Sequence, residues 1–322
     1  MRRVLVTGGS GFVGAEVCRA LSARGWRLRL ALRRERPGLP EGERVLVGEI
    51  GPATDWGAAL EGVDAVVHLA ARVHVLRETA EDPNHAFALV NTLGTERLAR
   101  AAAAAGVRRL VYASSIKVNG ESTQGRPFCE LDPPAPQDAY ARSKAAAELA
   151  LAAVAAESGL EVAVVRPPLV YGPGVGGNLA LILRAIGLGL PLPLGSIRNR
   201  RSLVGVWGLA ELLASCAEHP AAAGETFLAA DRPDLSTPEL VRHLAAGLGR
   251  PARLWPVPPG LLLALGTALG RRAELERLCG SLEVDSGKAR RLLGWAPALS
   301  LEEGLRRTAR AHADARPGGP GR

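Results

Sequence analysis

The chain has 322 residues, of which 47% are hydrophobic, 22% charged and 4% aromatic. Forty Lys and Arg against 32 Asp and Glu give a formal charge of +8, but only Lys117, Lys144 and Lys288 are lysines, so the excess reads as an arginine-rich composition and no nucleic-acid partner is expected. That apolar content excludes disorder outside the Gly/Pro/Arg tail 316–322, and no apolar run reaches the roughly 18 residues of a membrane span, so no membrane partner is expected either.

The chain opens directly on a strand pattern, Arg3-Val4-Leu5-Val6, which predicts no signal peptide. Cys18, Cys129, Cys216 and Cys279 are dispersed and form no CxxC pair, as expected of reduced thiols in a cytoplasmic protein. The histidines show no HxxxH or HxH spacing, so no metal site is expected.

In chain order, Val4–Val6, Leu28–Leu32, Val45–Val47, Ala65–Leu69, Leu110–Ala113 and Val162–Val165 read as buried strands. Helical stretches lie between them near Phe12–Arg24, Asp82–Ala105 and Gln137–Ser158. This alternation predicts an α/β fold, a Rossmann-type doubly wound parallel sheet covered on both faces. From Gly172 proline and glycine become dense; Asn178–Gly187 reads as a helix and Glu225–Ala230 as a further strand. The expected division is a dinucleotide-binding domain over 1–171, with 202–231 returning to it. A smaller, interleaved substrate lobe takes 172–201 and 232–315, and 316–322 is a flexible tail. Trp207 and Trp255 are expected in the core of that lobe. His74, His85 and His243 are expected at the surface or in packing.

After the first strand comes Thr7-Gly8-Gly9-Ser10-Gly11-Phe12-Val13-Gly14. Gly8 lets the chain turn, Gly11 lets the backbone approach a pyrophosphate, and Gly14 lets helix and strand pack closely. The helix beginning at Phe12 and Val13 offers free N–H groups to the anion. Strand, glycine turn and helix in that order are the context such a loop requires. Eighteen residues after Gly14, where an acid would bind the adenosine ribose, stand Leu32 and then Arg33 and Arg34. A guanidinium there suits a 2′-phosphate, which favours NADP(H) slightly over NAD(H).

Tyr140-Ala141-Arg142-Ser143-Lys144 places a phenol and an ammonium on one helix face. The ammonium is expected to lower the phenol pKa, which suits a group exchanging a proton with an alcohol. With three Tyr and three Lys in the chain, the pairing is informative. Ser115, at the carboxyl end of its strand, stands where such sheets bind ligands and could hold the substrate oxygen. Asn91 is expected to support the active-site backbone or Lys144, within the cofactor-binding set.

These segments, with His68-Leu69-Ala70-Ala71, Asn91-x-x-Gly94-Thr95, Arg166-Pro167-x-x-Val170-Tyr171-Gly172-Pro173 and Leu292-Leu293-Gly294-Trp295-x-Pro297, resemble the extended short-chain dehydrogenase/reductases. More narrowly they resemble the NAD(P)-dependent nucleotide-sugar epimerase/dehydratase family. The resemblance covers nearly the whole chain. It implies Tyr140 as acid/base, Lys144 as its ammonium and ribose anchor, and Ser115 on the reacting oxygen. It places Glu49 and Ile50 by the adenine, Leu69, Ala70 and Ala71 along the cofactor, and Pro167 and Val170 against the nicotinamide. Asn178 and Leu179 resemble the segment touching a UDP-sugar diphosphate, and Arg201 the arginine binding the nucleotide phosphate. Arg198, Arg200 and Arg201, without an acid nearby in sequence, agree with an anion there. A homodimer is also implied.

The sequence departs from the 4,6-dehydratases of the family, which carry Asp-Glu after the active hydroxyl where this chain has Ile116-Lys117; this argues against dehydration. Asn119 stands where many 4-epimerases have Tyr. The string Ser114 to Glu121 most resembles the UDP-glucose 4-epimerase-like branch. That branch includes UDP-4-keto-sugar reductases of surface polysaccharide assembly. The expected activity is hydride transfer at C4 of a UDP-sugar, by a 4-ketoreductase or a 4-epimerase. The alternatives are a reductase of a non-nucleotide ketone, or a catalytically idle dinucleotide-sensing or RNA-binding homologue.

Overall fold

The computed structural model describes residues 2–73, 82–268 and 270–315. The tail 316–322 and His74 lie outside the described residues. Nine strands are present: β1 (Arg3–Thr7), β2 (Arg27–Leu32), β3 (Glu43–Leu46), β4 (Ala65–His68), β5 (Arg109–Ala113), β6 (Glu161–Arg166), β7 (Leu169–Tyr171), β8 (Leu203–Gly205) and β9 (Thr226–Leu228). Seven form one parallel sheet in the order β3-β2-β1-β4-β5-β6-β9, and β7 pairs with β8.

The apolar strand runs serve both faces because side chains alternate along a strand. Val4 and Val6 of β1 enter one core with Val17 and Leu21 of helix Phe12–Ala23 and Leu209 and Leu213 of helix Val206–Glu218. Leu5 enters the other, with Leu98 of helix Gly94–Ala104 and Leu151 of helix Ala139–Ser158. Strand order reverses between β1 and β4. Such a switch point opens a crevice at the carboxyl ends of the strands.

The helix expected over Asp82–Ala105 is interrupted. Pro83–Phe87 is α-helical, Ala88–Leu93 is a π-helical turn, and Gly94–Ala104 resumes the α-helix. Such turns recur at functional sites. A third core joins Leu183, Leu203, Val241, Leu244 and Leu305. It is pinned by Tyr171, whose hydroxyl donates to Asp231 Oδ2 (2.6 Å), which also accepts the Gly205 N–H (2.8 Å). Helix Leu301–Asp314 approaches Tyr171 at Gly304, where a Cβ would lie 2.7 Å from the ring. Trp207 packs against this core, whereas Trp255, expected inside it, is 60% exposed.

Candidate active site

Gly8 sits at φ +69°, and a Cβ there would lie 2.7 Å from the Ala70 nitrogen. A Cβ on Gly14 would run into the Gly8 carbonyl oxygen. Only glycine lets strand, turn and helix close this tightly. Helix Phe12–Ala23 starts after Gly11 with no side-chain cap, so the amides at Phe12, Val13 and Gly14 keep their capacity for an anion.

The floor of this cradle is a buried hydrogen-bond chain. Thr95 donates its hydroxyl to the Asn91 carbonyl (2.7 Å) and meets His68 Nε2 (2.9 Å); Thr7 meets His68 Nδ1 (2.6 Å). Thr95 therefore accepts from an Nε2–H, and Thr7 donates to Nδ1. That leaves Thr7 Oγ1 to accept the N–H groups of Leu69 (3.2 Å) and Ala70 (3.1 Å). The arrangement requires neutral His68, and burial, helped by the Lys144 charge, pushes its pKa from 6.5 down to about 3. Sequence reading took His68 only as part of a motif; Thr7 lies 61 residues away from it.

At the far end of the crevice the carboxylate missing after β2 is supplied from beyond β3. Arg33 Nη1 donates to Glu49 Oε1 (3.2 Å), with both side chains exposed. The Val47 N–H bonds the Leu32 carbonyl (2.9 Å) and brings the two strand ends together, so a carboxylate stands in space where the sequence after β2 has none. Ile50 packs at Gly94, where a Cβ would meet it at 2.7 Å.

The catalytic candidates converge where β5 ends. Asp138 caps helix Ala139–Ser158 by accepting the Ala141 N–H (2.7 Å), which sets the first turn that carries Tyr140. Tyr140 hydrogen-bonds Ser115. Lys144 Nζ donates to the Ala113 carbonyl (2.8 Å) and lies 4.5 Å from the Tyr112 ring centroid and 6.0 Å from that of Tyr140. Burial and the neighbouring Asp138 push the Tyr140 phenol up to about 12, against the pull of Ser115. Burial pushes Lys144 down to about 7, opposed by Glu148. The phenol is therefore raised and not lowered as the Tyr/Lys spacing leads one to expect, with desolvation the largest cause. Asn91, in the π-helical turn, spends its carboxamide on the Arg72 backbone (2.8 and 3.0 Å) and on Ser143 Oγ (3.0 Å). It thereby ties the Arg72 backbone to helix Ala139–Ser158, one residue before Lys144. Pro167 accepts the Ile116 N–H (3.0 Å), and Val170 packs on the main core.

The lobe residues are placed differently from expectation. Asn178 is exposed, but the Leu179 side chain is 1% exposed and belongs to the core. Arg201 Nη1 donates to the carbonyls of Arg277 (2.5 Å) and Gly280 (3.1 Å). Arg200 pairs with Glu283 (2.7 Å) and Asp234 (3.5 Å), so this basic run does have acids beside it. Lys117 is bound to Asp138 (2.6 Å) and Glu121 (2.9 Å).

Residues 4–230 match the NAD dependent epimerase/dehydratase family. The chain belongs to that family. It is 41% identical over 312 residues to a UDP-glucose 4-epimerase of Vibrio cholerae, covering 96% of this chain and 95% of the relative. It is 32% identical over 335 residues to a 2-alkyl-3-oxoalkanoate reductase of Stenotrophomonas maltophilia, covering 95% and 98%. The fold superposes on the crystal structure of Thermus thermophilus UDP-glucose 4-epimerase in complex with NAD. The TM-score is 0.78 at 26% identity, covering 98% of this chain and 100% of the other.

As a member of the epimerase/dehydratase family the protein is an enzyme with a nicotinamide dinucleotide cofactor. Its own geometry fits that group, since the helix that starts after Gly11 has no side-chain cap and leaves its first amides for an anion at the strand end. The dinucleotide, when bound, supplies hydride chemistry. Gly8 to Gly14 could hold its pyrophosphate, Glu49 with Arg33 its ribose, and Lys144 its nicotinamide side. Among the described residues no His/Cys/Asp/Glu cluster could hold a metal, and no helix is long and apolar enough to cross a membrane.

One set of family-site neighbours escaped sequence reading. Glu148 follows Lys144 by one turn and takes a bidentate pair from Arg166 (2.5–3.2 Å), as well as the Ser114 hydroxyl. Arg166 also donates to Asn119 Oδ1 (3.0 Å), and Asn119 to the Cys129 carbonyl (3.1 Å). The signal was the spacing Tyr140, Lys144, Glu148 at i, i+4, i+8.

Proposed function

We propose that the protein is a UDP-sugar oxidoreductase/epimerase working at C4, with Tyr140 as the acid/base. The observation that carries this reading is the joined Ser115–Tyr140 pair above a buried Lys144, at the strand end beside the glycine cradle. In this reading Ser115 holds the C4 oxygen, and Tyr140 takes the proton of the C4 hydroxyl or returns it to that oxygen. Lys117 stands where dehydratases of the family carry Glu and is itself held by two acids, which supports a reaction without loss of water.

The Glu49 carboxylate at Arg33 tilts the cofactor toward NAD, because it can accept from a free 2′-hydroxyl, while a 2′-phosphate has to displace it. That favours a 4-epimerase that retains its cofactor over a 4-ketoreductase fed by NADPH. The test is to denature purified protein and quantify the released dinucleotide. Stoichiometric NAD, together with interconversion of UDP-glucose and UDP-galactose, supports the epimerase. Empty protein that oxidises NADPH only with a UDP-4-keto sugar replaces it with the reductase.

A second reading, reduction of a non-nucleotide ketone, is favoured by one observation. Arg201 is spent on backbone carbonyls in place of pointing freely at a phosphate. Arg201→Ala separates the two readings: UDP binding falls if the nucleotide reading holds, and ketone reduction is unchanged if the second one does.

A further inference from the structure

Two stretches, 162–210 and 240–273, contain no Asp or Glu. They are stitched together by backbone hydrogen bonds: Leu192 N–H to the Arg253 carbonyl (2.8 Å), Trp255 N–H to Leu192 (2.9 Å) and Gly195 N–H to Trp255 (2.9 Å). Beside this seam Leu188, Leu190 and Trp255 stand largely in solvent. Helix Pro259–Ala268 follows directly. It buries Leu262 and Gly266 on one side and exposes Leu261 and Leu265 on the other, each by more than half. Its sole polar side chain, Thr267, is spent on the Leu263 carbonyl (2.9 Å). The uncharged run from Leu254 to Gly270 is flanked by Arg250 and Arg253 before it and by Arg271 and Arg272 after it, the latter two paired with Glu274 (2.6 Å) and Glu276 (2.7 Å).

An apolar helix face with flanking arginines and a tryptophan matches what a bilayer interface takes up: aliphatic chains at the acyl boundary, Trp at headgroup level, cations on phosphates. Ten residues make a helix of about 15 Å, which can lie on a bilayer but not cross it. The charge also argues against a second copy as the occupant. A two-fold contact through this face would set Arg250 and Arg253 of one copy near the same charges of the other unless Glu274 or Glu276 met them, whereas an anionic surface meets them with opposite charge throughout. We propose that this face of the smaller lobe docks on an anionic lipid bilayer and holds the enzyme at the membrane surface. The proposal stands independently of the reading of the active site.

The test is sedimentation of the full-length protein with phosphatidylglycerol/phosphatidylcholine vesicles, against phosphatidylcholine vesicles alone. The expected result is pelleting with the anionic vesicles only, reversed by high salt. Leu261→Glu with Leu265→Glu abolishes it, with the melting temperature unchanged. Arg250→Gln with Arg253→Gln weakens it about 25-fold, at about fivefold per arginine near such a surface. If the glutamate pair fails to fold, the arginine pair decides in the same assay. The proposal is overturned if the protein does not pellet with anionic vesicles, or if pelleting survives both variants. It is also overturned if the protein self-associates and the leucine variants split the oligomer, which would give the face to a second copy.

Discussion

At Tyr140 the environment works against ionisation. Burial and Asp138 hold the phenol near 12, while Lys144 beside it is held near 7. A phenol so held keeps its proton, so in the proposed reaction it would serve readily as the acid, and as a base only with the ammonium charged when the proton leaves. Tyr140→Phe keeps the ring and its edge contact with Phe87, and removes the proton route. Turnover is expected to fall by roughly 10²–10⁴ while dinucleotide binding is retained, measured by steady-state rates and cofactor-induced thermal shift. His68 makes a separate prediction about stability. Its folded pKa of about 3 lies below the ordinary 6.5, so on acidification the unfolded chain takes up the proton first. Stability is full above about pH 6.5 and is lost as pH falls toward 3. In His68→Asn that component of the acid loss disappears, which urea midpoints across pH 7 to 4 will read as a flatter slope.

At the scale of elements, the ion pair between Glu148 and Arg166 ties helix Ala139–Ser158 to β6 under the catalytic face. Both side chains are about one-tenth exposed. Glu148→Gln leaves a buried guanidinium without its counter-charge and is expected to cost about 3–5 kcal/mol in chemical denaturation. The main strands other than β3 were legible because each is an apolar run buried on both faces; β3, expected to be buried, is a largely exposed edge strand, with Leu46 59% exposed. β7 and β8 were not, since three residues carry no periodicity; they are fixed by pairing across 34 positions, Leu169 with Leu203. The glycine cradle and the Tyr/Lys pair were legible because their chemistry is local in sequence. The Arg166 partner of Glu148, the Glu49 partner of Arg33 and the Thr7 partner of His68 were not, because each is supplied by the sheet and not by spacing. Arg201 shows the converse: an acid-free stretch of sequence predicted an anion, and the fold supplied carbonyl oxygens.

Over the whole molecule, one polar contact gathers elements from distant parts of the chain. Tyr171 of β7, Asp231 beyond β9, Gly205 of β8 and Gly304 of helix Leu301–Asp314 meet there, all buried or tightly apposed. Tyr171→Phe removes the donor to Asp231 and should cost about 1–3 kcal/mol, read as a lowered urea midpoint. Gly304→Ala would force the helix off the Tyr171 ring and disturb the same junction by sterics alone. Comparing the two variants separates polar from packing contributions.

The scarcity of lysine has a practical consequence. Lys117 is clasped by Asp138 and Glu121, Lys288 by Glu225 and the Thr226 carbonyl, and Lys144 is 2% exposed. Acylating reagents therefore meet no side-chain amine standing open on the surface. Lys144, with its pKa brought down to about 7, carries a free amine in good part near neutrality and reacts once reached. Slow acylation of this enzyme would consequently time the opening of its catalytic helix, as a clock built into the composition.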